Sequence, residues 1–139
     1  MLQALAITED DEILEIGSAS GYLATCLARL GGRVRSIDAD AGIVELAANN
    51  ARHCGLANLE FDTMSFSRID ATQAWDVITL TASLPEVPDN LRQALRIGGR
   101  LFVIVGESPA MEALLITRVG ESEWQTRSLF ETDLPRLAH

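Results

Sequence analysis

A chain of 139 residues, 47% hydrophobic and 22% charged, can bury one sizeable core and is read as a single domain over 1–139. Its 20 acids face 11 arginines and no lysine; the formal net charge of −9 opposes a phosphate-tracking surface and excludes nucleic acid as the expected partner. The apolar start at 1–7 is too short for a signal peptide, runs directly into Glu9, Asp10, Asp11 and Glu12, and no later run has membrane-spanning length, so the expectation is a soluble, cytoplasmic protein.

In chain order, Ile13-Leu14-Glu15-Ile16 is a short apolar strand closed by Gly17. Tyr22, Leu23, Cys26, Leu27 and Leu30 recur at helical spacing across 21–30 until Gly31-Gly32 stops them. A strand is predicted over 34–38 and a helix over 41–54, with Gly55 as its C′ residue. A third strand around Leu59, Glu60 and Phe61 follows, while 61–74 has no clear period. The run 76–81 is a buried strand, 87–95 a modest helix entered through Pro85 and Pro88, and 100–105 an apolar strand. The ending changes rhythm: 111–119 and 123–130 are consecutive strands joined by a turn at Gly120-Glu121-Ser122. The fold class is therefore an α/β, Rossmann-like, open and mostly parallel sheet with helices on both faces and a C-terminal antiparallel hairpin. Cys26 and Cys54 read as small buried hydrophobes, and His53 beside Cys54 lacks neighbours for a metal site.

Ligands in such sheets bind beyond the carboxyl ends of the strands, where strand order reverses. That puts Gly17-Ser18-Ala19-Ser20-Gly21, Asp38 and the segment 81–85 around one crevice. A P-loop needs a lysine, which is absent, and a nucleophile elbow needs serine where Ala19 stands. A dinucleotide fingerprint needs glycines at the positions held by Ala19 and Tyr22, which leaves NAD as a weak alternative. What remains is a G-x-x-x-G turn after a strand bearing Glu15, followed by a strand ending in Asp38, whose carboxylate can accept from both ribose hydroxyls. A nucleoside cofactor without a pyrophosphate suits that pattern.

Three blocks in order, "LEIGSASGYLATCLARLGGRVRSID", "WDVITLTASLPEVPDNLRQALRIGGRLFVIVG" and "LITRVG…LFETDLPRL", resemble the protein-L-isoaspartate O-methyltransferase family over nearly the whole chain. The resemblance implies a class I S-adenosylmethionine-dependent methyltransferase fold. By position it implies that Glu15, Gly17 and Gly21, with Ser18, Ala19 and Ser20 between them, shape the pocket for the methionine part of S-adenosylmethionine or S-adenosylhomocysteine. Asp38, with Ala39 beside it, would hold the ribose; Ser65 and Phe66 would border the adenine; Thr81 would open the rim of the transfer site. No catalytic residue is nominated. Methylating a carboxylate needs no base, because the acceptor is already an anion and the sulfonium a good methyl donor, so positioning is the main task.

Three departures stand out. Ala19 replaces the glycine usual at the centre of the turn, and if that position needs positive φ the Cβ costs about 1–2 kcal/mol. Met64-Ser65 replaces a Gly-Asp pair, exchanging a charged adenine acceptor for a neutral one. The family's N-terminal region, with its substrate loop, has only residues 1–11 in its place, so the chain is expected to be truncated relative to the family. Its activity alone is therefore in doubt, and a homo-oligomer is expected through the face flanked by Leu2 and Leu5. The methyl acceptor is a protein or small-molecule carboxylate; the competing reading is a noncatalytic module of the same fold acting in protein association.

Overall fold

The computed structural model describes residues 7–17, 21–70, 75–107 and 110–132. They form strands β1 (Glu12–Ile16), β2 (Arg33–Asp38), β3 (Leu59–Thr63), β4 (Trp75–Leu84), β5 (Leu95–Glu107), β6 (Ala110–Gly120) and β7 (Glu123–Thr132). The helices are α1 (Tyr22–Leu30), α2 (Ala41–Arg52) and α3 (Asp89–Ala94), with a 3-10 turn at Phe66–Arg68. All seven strands lie in one sheet of order β3-β2-β1-β4-β5-β6-β7. The first five pair in parallel, while β5-β6 and β6-β7 are antiparallel. The expected antiparallel ending is present and extends to β5, because nothing separates β5 from β6 except two residues and the chain must reverse at once.

The central strands are apolar on both sides because both sides are covered. Leu14, Ile16, Ile78, Leu80, Leu101 and Val103 face a core shared with Phe66, Leu91 and Leu95, whereas Ile13, Val34, Val77 and Phe102 face Leu27 and Ala28 of α1. Glu15 alternates with Leu14 and Ile16, so it points to the α1 side of the sheet.

Several boundaries differ from the sequence pattern. The second helix stops at Arg52, not Cys54, because the chain tightens into a turn in which Ala51 and Arg52 carbonyls accept from the amides of Cys54 and Gly55 (2.9 and 3.4 Å). Cys54 is consequently exposed and Cys26 only half-buried, so neither is the buried hydrophobe expected. α3 has six residues rather than nine, because Leu95 leaves it in extended conformation to pair with Trp75.

Polar groups fasten the end of the sheet opposite the crevice. Arg96 bridges Glu12 and Asp76 at 2.8 Å each, Arg100 reaches Asp11 at 3.0 Å, and the Glu12 amide donates to Asp76 at 2.9 Å. Each pair is partly exposed and worth little alone, but together they tie the amino ends of β1, β4 and β5. Arg118 is buried at 2% exposure and has no carboxylate partner among the described residues. It donates to the carbonyls of Gln93, Leu95, Gly120 and Glu121 and stacks 5.0 Å from the Trp124 ring, joining α3 to the terminal hairpin. Among the described residues no helix is long and apolar enough to cross a membrane.

Candidate functional site

The strand order reverses at β1, whose neighbours are β2 on one side and β4 on the other. A crevice at their carboxyl ends follows from that topology. In register, Ile16 pairs with Ile37 and Asp38 with Thr63, so Gly17, Asp38 and the approach to Ser65 stand side by side along one edge.

Gly17 and Gly21 both have positive φ, 96° and 84°. Gly17 donates its amide to the Ile37 carbonyl at 2.8 Å, which holds it beside β2 at the end of β1. Gly21 caps α1 with its backbone: its carbonyl accepts the Thr25 amide at 3.0 Å and the Thr25 hydroxyl at 2.9 Å. A Cβ there would sit 2.7 Å from the Ala47 carbonyl oxygen, so glycine also lets α1 approach α2. Ser18, Ala19 and Ser20 lie outside the described residues.

Glu15 is the unusual group. It has no solvent exposure; its Oε1 accepts from the Ser36 hydroxyl at 2.6 Å, while Oε2 has no partner. Thr79, paired with Glu15 in register on β4, likewise buries an unpartnered Oγ1. Burial lifts the Glu15 carboxyl from 4.5 to about 7, against the opposing effect of the Ser36 bond. Two orphaned polar atoms side by side are costly and seldom left so. Thr79 was missed by sequence reasoning, which looked to Thr81 and the segment 81–85; its only signal was a hydroxyl inside the apolar run Val77-Ile78-Thr79-Leu80.

The other expected residues divide. Asp38 is half-buried at the strand end, and its Oδ1 accepts the Asp40 amide at 2.9 Å, which fixes the carboxylate just ahead of α2. Asp40 in turn caps α2, accepting from Gly42 and Ile43 at 2.8 and 3.3 Å. Ala39 is exposed between them. Ser65 follows β3 and caps the 3-10 turn: its hydroxyl accepts the Ser67 amide at 3.4 Å and lies 3.0 Å from the Ser67 hydroxyl. Phe66 is only 6% exposed and its ring belongs to the core with Leu80 and Leu84, so it underlies the crevice rather than facing into it. Thr81 lies in β4 within an irregular stretch between Thr79 and Ser83, and its side chain lies outside the described positions. Ser83 is fully buried and so does not line an open rim.

A groove of about 370 Å³ lies over Leu115, Thr117 and Gln125 on the terminal hairpin, and another of about 340 Å³ runs between α1 and α2 past Gly21, Cys26 and Cys54. Neither gathers buried, unpaired polar atoms; the end of β1 does.

Comparison with known proteins agrees with the geometry. Residues 1–133 match the family described as protein-L-isoaspartate(D-aspartate) O-methyltransferase. A protein-L-isoaspartate O-methyltransferase of Rhodopseudomonas palustris is 35% identical over 136 residues, covering 93% of this chain and 60% of that protein. The Paracoccus denitrificans protein of that name is 40% identical over 123 residues, covering 88% of this chain and 57% of its own. This chain thus spans about 60% of the length of such relatives. A Plasmodium falciparum protein assigned to the same methyltransferase type, solved with S-adenosyl-L-homocysteine, superposes with a TM-score of 0.85 at 19% identity, covering 99% of this chain and 71% of that one. At that identity the likeness speaks for the fold, and the sequence match for the lineage: the chain belongs to the protein-L-isoaspartate(D-aspartate) O-methyltransferase family.

Proposed function

We propose that these residues form the cofactor-binding part of an S-adenosylmethionine-dependent carboxyl methyltransferase whose acceptor is an isoaspartyl carboxylate in a protein. The observation that carries this reading is the buried, unpartnered Glu15 Oε2 at the end of β1, beside the glycine turn and in one row with Asp38's strand. Glu15 and Thr79 would take the ligand's ammonium group, and Asp38, held by the Asp40 amide, would accept from the ribose hydroxyls. Ser65 has lone pairs left for an adenine amino group but already serves as a cap. When bound, S-adenosylmethionine supplies a methyl group on a sulfonium with a neutral thioether as leaving group. The chain's own task is then to hold the donor still and exclude water; no side-chain base is required for an acceptor that is ionised at neutral pH. Two free thiols, one of them exposed, suit a reducing, cytoplasmic setting.

The test separates binding from turnover. S-adenosylhomocysteine should bind in calorimetry, and Asp38→Ala should weaken it by about 1.5–3 kcal/mol, the range for a hydrogen bond to a charged group, or roughly tenfold to a hundredfold. Equal affinity in the variant removes Asp38 from the site, and no binding by the parent chain favours the noncatalytic module. Against an isoaspartyl peptide, residues 1–139 alone should show no detectable methyl transfer; brisk turnover would show that the peptide site lies wholly within them. Turnover of free small carboxylates in place of the peptide would move the acceptor to the small-molecule class.

A further inference from the structure

Glu15, Ser36 and Thr79 form a polar row across three parallel strands, next to Ile13, Val34 and Val77 on the same face. Glu15 and Thr79 are paired in register on adjacent strands, which lie about 4.8 Å apart, and Glu15 Oε2 and Thr79 Oγ1 are each buried without a partner. An ionised carboxylate there would need a cation. Among the described residues none faces it. On this side of the sheet β1 presents Ile13, β2 presents Val34 and, beyond Ser36, the half-buried Asp38, and β4 presents Val77. α1 turns Ala24, Thr25, Leu27 and Ala28 inward and leaves Arg29 exposed; α2 turns Val44, Ala47 and Ala51 inward and leaves Glu45 and Arg52 exposed. Among the described residues the one titratable neighbour on the row's face is Asp38, an acid, so no cation stands there to pair with Glu15.

We propose that Glu15 is a neutral carboxylic acid in the ligand-free protein and that docking of a cofactor's ammonium group beside it expels the proton to solvent, making cofactor uptake a proton-releasing step that selects for a cationic ligand. The inference rests on the cofactor reading above and adds a mechanism to it. The balance is simple: the O–H bond of the acid breaks, the proton leaves to buffer, and the carboxylate left behind pairs with the ammonium, so the buried space stays neutral overall. Burial, which holds the free acid near 7, makes the exchange fall within the physiological range. A neutral ligand of the same shape would leave the proton in place and gain no ion pair.

S-adenosylhomocysteine binding should be measured by calorimetry in two buffers of different ionisation enthalpy. At about pH 6, roughly one proton should be released per ligand bound, and the affinity should weaken up to about tenfold per unit as pH falls below 7. Glu15→Gln should release none and bind with little dependence on pH over that window. Carboxyl carbon NMR of the free protein, assigned with the same variant, should place the Glu15 midpoint near 7 and ligand should move it down. Binding without proton release, or a Glu15 midpoint in the ordinary carboxylate range, overturns the proposal while leaving the cofactor reading intact. Absence of binding removes both.

Discussion

Glu15→Gln should stabilise the ligand-free protein at neutral pH. The folded carboxyl titrates near 7 and the unfolded one near 4.5. Between those values the folded state holds a proton that the unfolded state has lost, so stability falls as pH rises through this window and levels off above it. Over that interval the loss is on the order of 3 kcal/mol. Glutamine keeps an acceptor for Ser36, offers a donor toward Thr79 and does not titrate. Urea midpoints taken from about pH 4.5 to 8 should therefore converge at the acid end and diverge by up to about 3 kcal/mol at the neutral end. Parallel profiles for the two proteins would mean that Glu15 titrates alike in both states. A protein that keeps a destabilising acid at this place trades stability for a group only a ligand can satisfy.

Gly21→Ala should have the second large effect. At φ +84° any Cβ is strained by about 1–2 kcal/mol. Here the new atom would also lie 2.7 Å from the Ala47 carbonyl oxygen and 3.3 Å from two further backbone atoms of that residue. Backbone cannot rotate aside as a side chain can, so α1 must move relative to α2, adding about 1–3 kcal/mol. The sum, about 3 kcal/mol, should appear as a lowered denaturation midpoint together with weakened S-adenosylhomocysteine binding, since Gly21 closes the turn. Gly55→Ala supplies the control: its φ is +64° but a Cβ there would meet nothing within 4 Å. It should cost only the strain, about 1–2 kcal/mol. If both variants lose the same amount, the contact between α1 and α2 is soft and the geometry of the turn is not set by it.

The sequence by itself determined the order and type of the elements and so the sheet edge at which the candidate site stands. The apolar run at Ile13–Ile16, the closing glycines at 31 and 32, and the two consecutive terminal strands are local signals, and local hydrogen bonds or short apolar runs satisfy them. Gly17, Gly21 and Asp38 were legible for the same reason, each standing where an element ends. Only the tertiary structure decided which polar residues meet. Strands covered on both faces carry no alternation, so nothing local says that Glu15, Ser36 and Thr79 share a side; parallel register is set across crossovers, by contacts distant in sequence. The same distance hid the exposure of Cys54, the short α3 and the burial of Phe66, each of which depends on what another element covers. Whether a carboxylate in a strand is a solvated edge group or an acid without a partner is a property of its surroundings, because the cost of its charge is paid in the medium around it rather than along the chain.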